Sequence, residues 1–280
     1  HRIAKALKIK GPFNIQYLIR NGTVYVMECN LRASRSIPYV SKTRGVNLID
    51  VATSVMLGSR LRDLGVAQLP PVMHFSVKAP QFSFMRLSGA DPILGVEMLS
   101  TGEVACLGDS LSEALLNALQ SAEFRVPPSK GSVLITVGGQ EAKKKIVPIA
   151  RTLDRLGFRI YATEHTAESL KEAGLSEVTV LRKLKERDRW NENISDYLLK
   201  GRFDLVVNIP ALSGDDLSDE SDILRDEYLI RRLAVEFNVP VVTTFELASA
   251  LTRALRQSMS VRPSPKSLNE YMEGLVWMRW

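Results

Sequence analysis

From residue 132 onward, short β-branched runs take turns along the chain with amphipathic stretches of 3.6-residue period. SVLITV (132–137), FRIYA (158–162), EVTVL (177–181), FDLVVN (203–208) and VPVVT (239–243) read as strands. Helical patterns fall near 141–156, 167–173, 190–200, 223–237 and 245–257. Strands rich in β-branched residues and separated by amphipathic helices predict a five-stranded parallel sheet covered on both faces, an α/β fold of Rossmann-like type.

The first half is less regular. FNIQYLI and TVYVMECN flank Arg20-Asn21-Gly22 and predict a hairpin over 13–30. A two-residue Asn-Gly turn would set Gln16 against Met27, on the face opposite Glu28. A three-residue loop with Gly22 left-handed would reverse the parity and place Gln16, Glu28 and Asn30 together, and this loop is the expectation. NLIDVATSVMLG reads as a helix buried through Ile49, Val51, Ala52, Val55 and Met56 and ended by Gly58. A short strand is expected at 74–78, then a strand and a helix at about 111–122. EFRVPPSKGS (123–132) is the strongest boundary signal. The expected division is 1–124, a linker at 125–131, an α/β domain at 132–260 and a loosely attached tail at 261–280.

Composition is that of ordinary globular material, 45% hydrophobic and 24% charged. The net charge of +6 comes from lysines and arginines spread along the chain with few interleaved aromatics, so neither nucleic acid nor membrane is an expected partner. No apolar stretch approaches the roughly 20 residues a membrane span needs. Cys29 and Cys106 cannot form a disulfide framework and read as reduced core thiols. HRIAKALKIK reads as the middle of a helix without an initiator Met, so the chain is expected to be the C-terminal piece of something longer.

Two groups of residues carry chemistry. MECNLRASRS (27–36) brings Glu28, Asn30, Arg32 and Arg35 to the end of a strand. Glu28 and Asn30, two apart, share a side, and with Gln16 they offer hard oxygen ligands suited to Mg²⁺ shared with substrate phosphates. Arg32 and Arg35 can clamp phosphate oxygens, although an ordinary charged strand end would look similar. The second group lies at or beyond the carboxyl ends of the predicted parallel strands, where open α/β sheets bind ligands. It comprises Gly138-Gly139 at a strand-to-helix turn, Thr163, Thr166, Lys183, Asn208, Thr243 and Thr244. Thr166 could equally cap the following helix, and Gly-Gly could be a simple connection. His74 reads as a packed strand residue and His165 as a loop residue.

The stretch GPFNIQYLIRNGTVYVMECNLRASRSIPYVSK, with DPILGVEMLSTGEV, resembles the end of the second ATP-grasp domain of the carbamoyl phosphate synthetase large subunit. The C-terminal part resembles the methylglyoxal synthase-like domain that regulates these enzymes. The resemblance implies that Gln16, Glu28 and Asn30 bind Mg²⁺ or Mn²⁺ bridging the ATP phosphates, and that Arg32 and Arg35 contact phosphate or the phosphorylated intermediate. The implied reaction is ATP-dependent phosphorylation of carbamate, itself formed from bicarbonate, with a glutamine amidotransferase domain or subunit as partner. It also implies a cytoplasmic protein, with a mitochondrial one left open.

In the last domain, the resemblance assigns Lys143, Thr163, Thr166, Lys183 and Asn208 to the phosphate and ribose of a nucleotide effector, with Arg182 as rival to Lys183. Departures narrow the effector. Ala79 stands where ornithine-binding relatives have an acid, and Pro210 where they have a hydroxyl donor. Leu181, Ala211 and Glu227 replace the Trp and Asn of acetylglutamate-dependent enzymes. LRKLKERDRW (181–190) lacks the Gly-Gly-Asp of true methylglyoxal synthases. A uridine nucleotide such as UTP or UMP is the expected effector; a regulatory module sensing a nucleotide or N-acetylglutamate without catalysis is the alternative.

Overall fold

A computed structural model describes residues 1–66, 71–84, 87–95, 99–184, 192–210, 220–258 and 266–273. They form two compact units, one of 1–76 with the chain from 265 onward, the other of 77–264.

The first unit begins with α1 (Arg2–Ala6) and a hairpin of β1 (Asn14–Arg20) and β2 (Thr23–Asn30). Arg20 pairs with Thr23, and Asn21 and Gly22 both take positive φ, so the turn has two residues. The expected three-residue loop is therefore corrected. The parity changes further along instead: Tyr17 pairs with Val26 but Gln16 with Glu28, leaving Met27 as a bulge residue. Helices α2 (Ser36–Arg44) and α3 (Leu48–Met56) follow. Gly45 ends α2 in the left-handed region, and the Asn47 side chain caps α3 by accepting from the Asp50 N–H. His74 is buried, as expected, with Nε2 3.1 Å from the Thr43 carbonyl oxygen.

The tail is not loose throughout. Residues Leu268–Met272 form a short helix capped reciprocally by Ser267 and Glu270, with Met272 fully buried and Tyr271 edge-on to His74. Residues 261–265 and 274–280 of the predicted tail lie outside the described residues.

In the second unit β3 (Phe75–Gln81, whose first two residues belong to the first unit) pairs with β4 (Gly102–Gly108), and α4 (Leu111–Ser121) packs on β4. There follow β5 (Ser132–Val137), α5 (Gln140–Arg155), β6 (Arg159–Ala162), α6 (Glu164–Glu172), β7 (Val178–Val180), α7 (Ile194–Leu199), β8 (Leu205–Ile209), α8 (Glu220–Glu236), β9 (Val241–Val242) and α9 (Phe245–Ser258). The tail helix is accordingly α10. The predicted helix 190–200 begins in residues outside the described set; its described part starts after Asn193, which caps α7.

The five strands form a parallel sheet in the order β7-β6-β5-β8-β9. All six residues of β5 are buried because the strand is central and covered twice. Val133, Ile135 and Val137 face a core with residues of α5, α6 and α9, whereas Leu134 faces one with residues of α7 and α8. Leu116 and Leu119 of α4 belong to the first of these cores, so the compact division falls at Ser76/Val77 and not in the Pro-rich 125–131 stretch. The chain leaves β5 for β6 on one side and returns to β8 on the other. That arrangement opens a crevice at the carboxyl end of β5.

One polar chain crosses the α8 side of the sheet. Thr136 and Asn208 are register partners on β5 and β8, and the Asn208 amide donates to Thr136 Oγ1 at 2.6 Å. Arg231 of α8, 3% exposed, donates to Asn208 Oδ1 at 2.7 Å and to both carboxylate oxygens of Asp91 at 2.9 and 2.7 Å. Next to it, Arg232 Nη1 donates to the carbonyl oxygens of Phe84, Leu87 and Ala90, and the Tyr228 hydroxyl to that of Gly89. Truncating one member of a buried ion pair strands the other charge. Asp91→Ala should therefore destabilise the second unit by roughly 3 kcal/mol, the low end of the usual range because Asp91 is one-third exposed. Asp91→Asn, which keeps one acceptor, should lose less. Urea unfolding followed by circular dichroism measures both, and an Asp91→Ala loss below about 1 kcal/mol would contradict this reading.

Candidate functional site

A cavity of about 140 Å³ opens where that crevice is expected, lined by Thr136–Gly139, Lys143, Thr163, His165, Thr166, Lys183, Asp226, Glu227 and Ile230. Its floor follows from the β5–α5 connection. Gly139 takes φ 78° and ψ 150°, a region open in practice only to glycine, and stands at the N-cap of α5. The chain can then turn at once from strand to helix, aiming the first-turn N–H groups of α5 outward as an anion site would require.

Hydroxyls and cations line this end. Thr163 occupies the N-cap position of α6, which starts earlier than the sequence pattern suggests. Thr166 is therefore within the helix and not its cap. It is buried, accepts from the Val137 N–H at 3.4 Å, and lies 3.3 Å from the Thr163 hydroxyl. Lys143 and Lys183 both line the cavity; Arg182 is exposed and does not. Among the described residues Lys143 has no carboxylate partner, whereas its neighbour Lys144 pairs with Glu141. His165 lies at the rim, largely exposed, with Glu168 3.4 Å away.

The opposite wall is acidic, a feature the sequence pattern did not signal. Glu227 is 8% exposed, and its Oε2 and the Asp226 Oδ1 are buried without a hydrogen-bond partner among the described residues. Burial pushes the Glu227 carboxyl up to about 7, against the opposing pull of Arg231 and Lys183.

Three expected residues are not at the cavity. Asn208 is fully buried, and its amide is engaged by Thr136 and Arg231, so it supports the wall from behind. Thr243 follows β9, a strand away from the crevice, and does not line it; Thr244 caps α9 by accepting from the Leu247 N–H at 3.3 Å. Ala211, residues 185–190 of LRKLKERDRW and residues 96–98 lie outside the described residues.

In the first unit the bulge at Met27 sets Gln16 directly across from Glu28, and Asn30 Nδ2 donates to Glu28 Oε1 at 2.9 Å. The three side chains thus share one face. Arg32 and Arg35 follow the strand, both exposed; Arg35 stands at the N-cap of α2. Among the described residues no group of three His, Cys, Asp or Glu side chains could hold a metal by itself. One carboxylate and two amides fit a divalent ion that takes its remaining ligands from phosphates and water.

Residues 145–243 match the family described as MGS-like domain, and residues 1–64 the family described as carbamoyl-phosphate synthase L chain, ATP binding domain. The fold and its cavity thus define an MGS-like α/β domain joined to part of an ATP-binding domain. Curated relatives align across both. The chain is 39% identical over 267 residues to Multifunctional protein URA2 of Saccharomyces cerevisiae, covering 95% of this chain and 12% of that protein. It is 38% identical over 278 residues to the mitochondrial carbamoyl-phosphate synthase (ammonia) of Homo sapiens, covering 97% and 18%. It is 38% identical over 262 residues to Multifunctional protein CAD of Squalus acanthias, covering 91% and 12%. The chain thus joins a stretch matching a carbamoyl-phosphate synthase L-chain ATP-binding domain to an MGS-like domain, and it spans less than one-fifth of the length of these relatives. Among the described residues no helix is long and apolar enough to cross a membrane.

Proposed function

We propose that this chain is the regulatory end, with the metal-binding corner, of an ATP-dependent carbamoyl phosphate synthetase. The observation that carries the regulatory half is the cavity at the carboxyl end of β5. Lys143, Lys183, two threonine hydroxyls and the start of α5 converge there on a space fitted to a phosphate group. A nucleotide of the uridine series is the proposed effector, with Asn208 supporting the wall from outside the cavity and Thr243 away from it.

The catalytic half rests on Gln16, Glu28 and Asn30 sharing one face beside Arg32 and Arg35. In the full-length enzyme these three would hold Mg²⁺ or Mn²⁺. The ion would neutralise charge on the ATP phosphates, while the arginines orient the group in transit to carbamate. The chain carries only part of such a site: the hairpin leaves Tyr17, Ile19, Val24, Val26 and Met27 about half or more exposed, on both of its faces. Carbamoyl phosphate synthesis and coupling to a glutamine amidotransferase are therefore proposed for the longer protein.

Two measurements test this reading. In full-length enzyme, Glu28→Ala should abolish ATP- and carbamate-dependent formation of carbamoyl phosphate while glutamine hydrolysis persists; retained synthesis would refute the role given to Glu28. On the 280-residue chain, calorimetry should show UMP or UTP binding in preference to N-acetylglutamate. Charge-assisted contacts are worth about 1.5–3 kcal/mol, so Lys143→Ala and Lys183→Ala should each weaken it by roughly one to two powers of ten. Tight acetylglutamate binding without nucleotide binding would reverse the effector assignment.

A further inference from the structure

The cavity has a cationic end and an acidic end. At the acidic end, among the described residues, Glu227 presents a buried, unpartnered Oε2, and Asp226 beside it a buried, unpartnered Oδ1. Arg231, one turn further along α8, acts on Glu227 electrostatically, but its guanidinium is committed to Asp91 and Asn208. Lys183 beyond β7 also acts on it, and Lys143 of α5 and His165 of α6 line the same space. A phosphate group drawn to the lysines thus enters a small cavity that already holds two carboxyl groups.

Resting on the reading that this cavity takes a phosphate-bearing ligand, we propose that Glu227 is its proton-linked specificity residue. Binding loads one proton from solvent onto the Glu227 carboxyl, which then donates a hydrogen bond to a ligand oxygen. Two physical terms drive the uptake. The ligand's negative charge repels an ionised carboxylate in a space poorly screened by water, favouring the neutral acid. The neutral acid is also a donor, and it ends the unpartnered state of Oε2 by pairing with an acceptor such as a ligand hydroxyl or carbonyl oxygen. A bare inorganic anion held at the lysine end would offer no such acceptor.

The pH dependence follows in sign. In the free protein Glu227 holds its proton below about 7 and loses it above. The bound ligand raises that midpoint, so affinity is greatest below about 7. Above it, affinity falls by up to about tenfold per pH unit until the bound-state midpoint is passed.

Calorimetric titration of the chain with UMP from pH 6 to 8.5, in two buffers of different ionisation enthalpy, measures affinity and proton uptake together. Wild-type protein should lose about fivefold in affinity between pH 7 and 8 relative to Glu227→Gln, and should take up roughly three-quarters of a proton more than that variant at pH 7.5. Titration of the UMP phosphate, of His165 and of the lysines is common to both proteins and cancels in the comparison. Equal slopes and equal proton counts would overturn the proposal while leaving the pocket in place. Absence of UMP binding to either protein at every pH would overturn the pocket reading and the proposal with it. Carbon-13 NMR of labelled glutamate in the wild-type chain gives a check that needs no variant. The Glu227 carboxyl should titrate at higher pH with UMP than without it, and an unchanged midpoint would contradict the proposal.

Discussion

The buried guanidinium of Arg231 is the group on which the arrangement of the second unit depends. A charge this deeply buried needs an opposing charge and a full set of acceptors, and it finds them in Asp91 and Asn208. Asn208 can serve because its register partner Thr136 accepts its amide. The consequence is geometric more than energetic, since a buried ion pair contributes little net stability. It fixes the rotation of α8 about its axis, and so decides that Asp226, Glu227 and one side of Ile230 face the cavity while Ala234 packs in the core under the sheet. The same helix holds Phe84 and the 87–91 segment through Arg232 and Tyr228. A change in charge at Glu227 therefore occurs one helical turn from the clamp on that segment.

Much of this fold was legible in the sequence. Parallel strands buried on both faces must be apolar and β-branched, and β5, β6 and β8 appear within two residues of their predicted bounds. Cavity-lining positions were also legible where topology alone sets them. Gly139, Thr163, Thr166 and Lys183 lie near strand ends, Lys143 was named through the family resemblance, and the structure brings all five to one cavity. The choice between Lys183 and Arg182 needed coordinates, because one residue of register at a strand end decides which side chain points inward.

What was not legible depended on partners distant in sequence. Asn208 looks like a ligand-facing residue because it ends a strand; Arg231, 23 residues later, and Thr136, 72 residues earlier, turn it into an internal strut. Glu227 was visible only as a replacement, since the helical period of α8 looks the same whether its charges face water or a closed cavity. The hairpin shows the converse. Gln16, Glu28 and Asn30 do share a face, but a bulge at Met27 achieves it and the turn does not. A one-residue bulge leaves no local signature in an apolar run. The Ser267–Glu270 capping pair is written in SLNEYM, a four-residue local pattern just after the prolines at 263 and 265.

The central claim is that the β5–α5 turn and the two threonines form an anion-binding site that α8 closes from the acidic side. Amide chemical-shift mapping tests it most directly, with UMP added stepwise to nitrogen-15-labelled 280-residue chain. The account predicts saturating shifts at Gly138–Lys143, Thr163–Thr166 and Lys183, with smaller ones at Asp226–Arg231. Shifts confined to other surfaces, or none up to millimolar UMP, would contradict it.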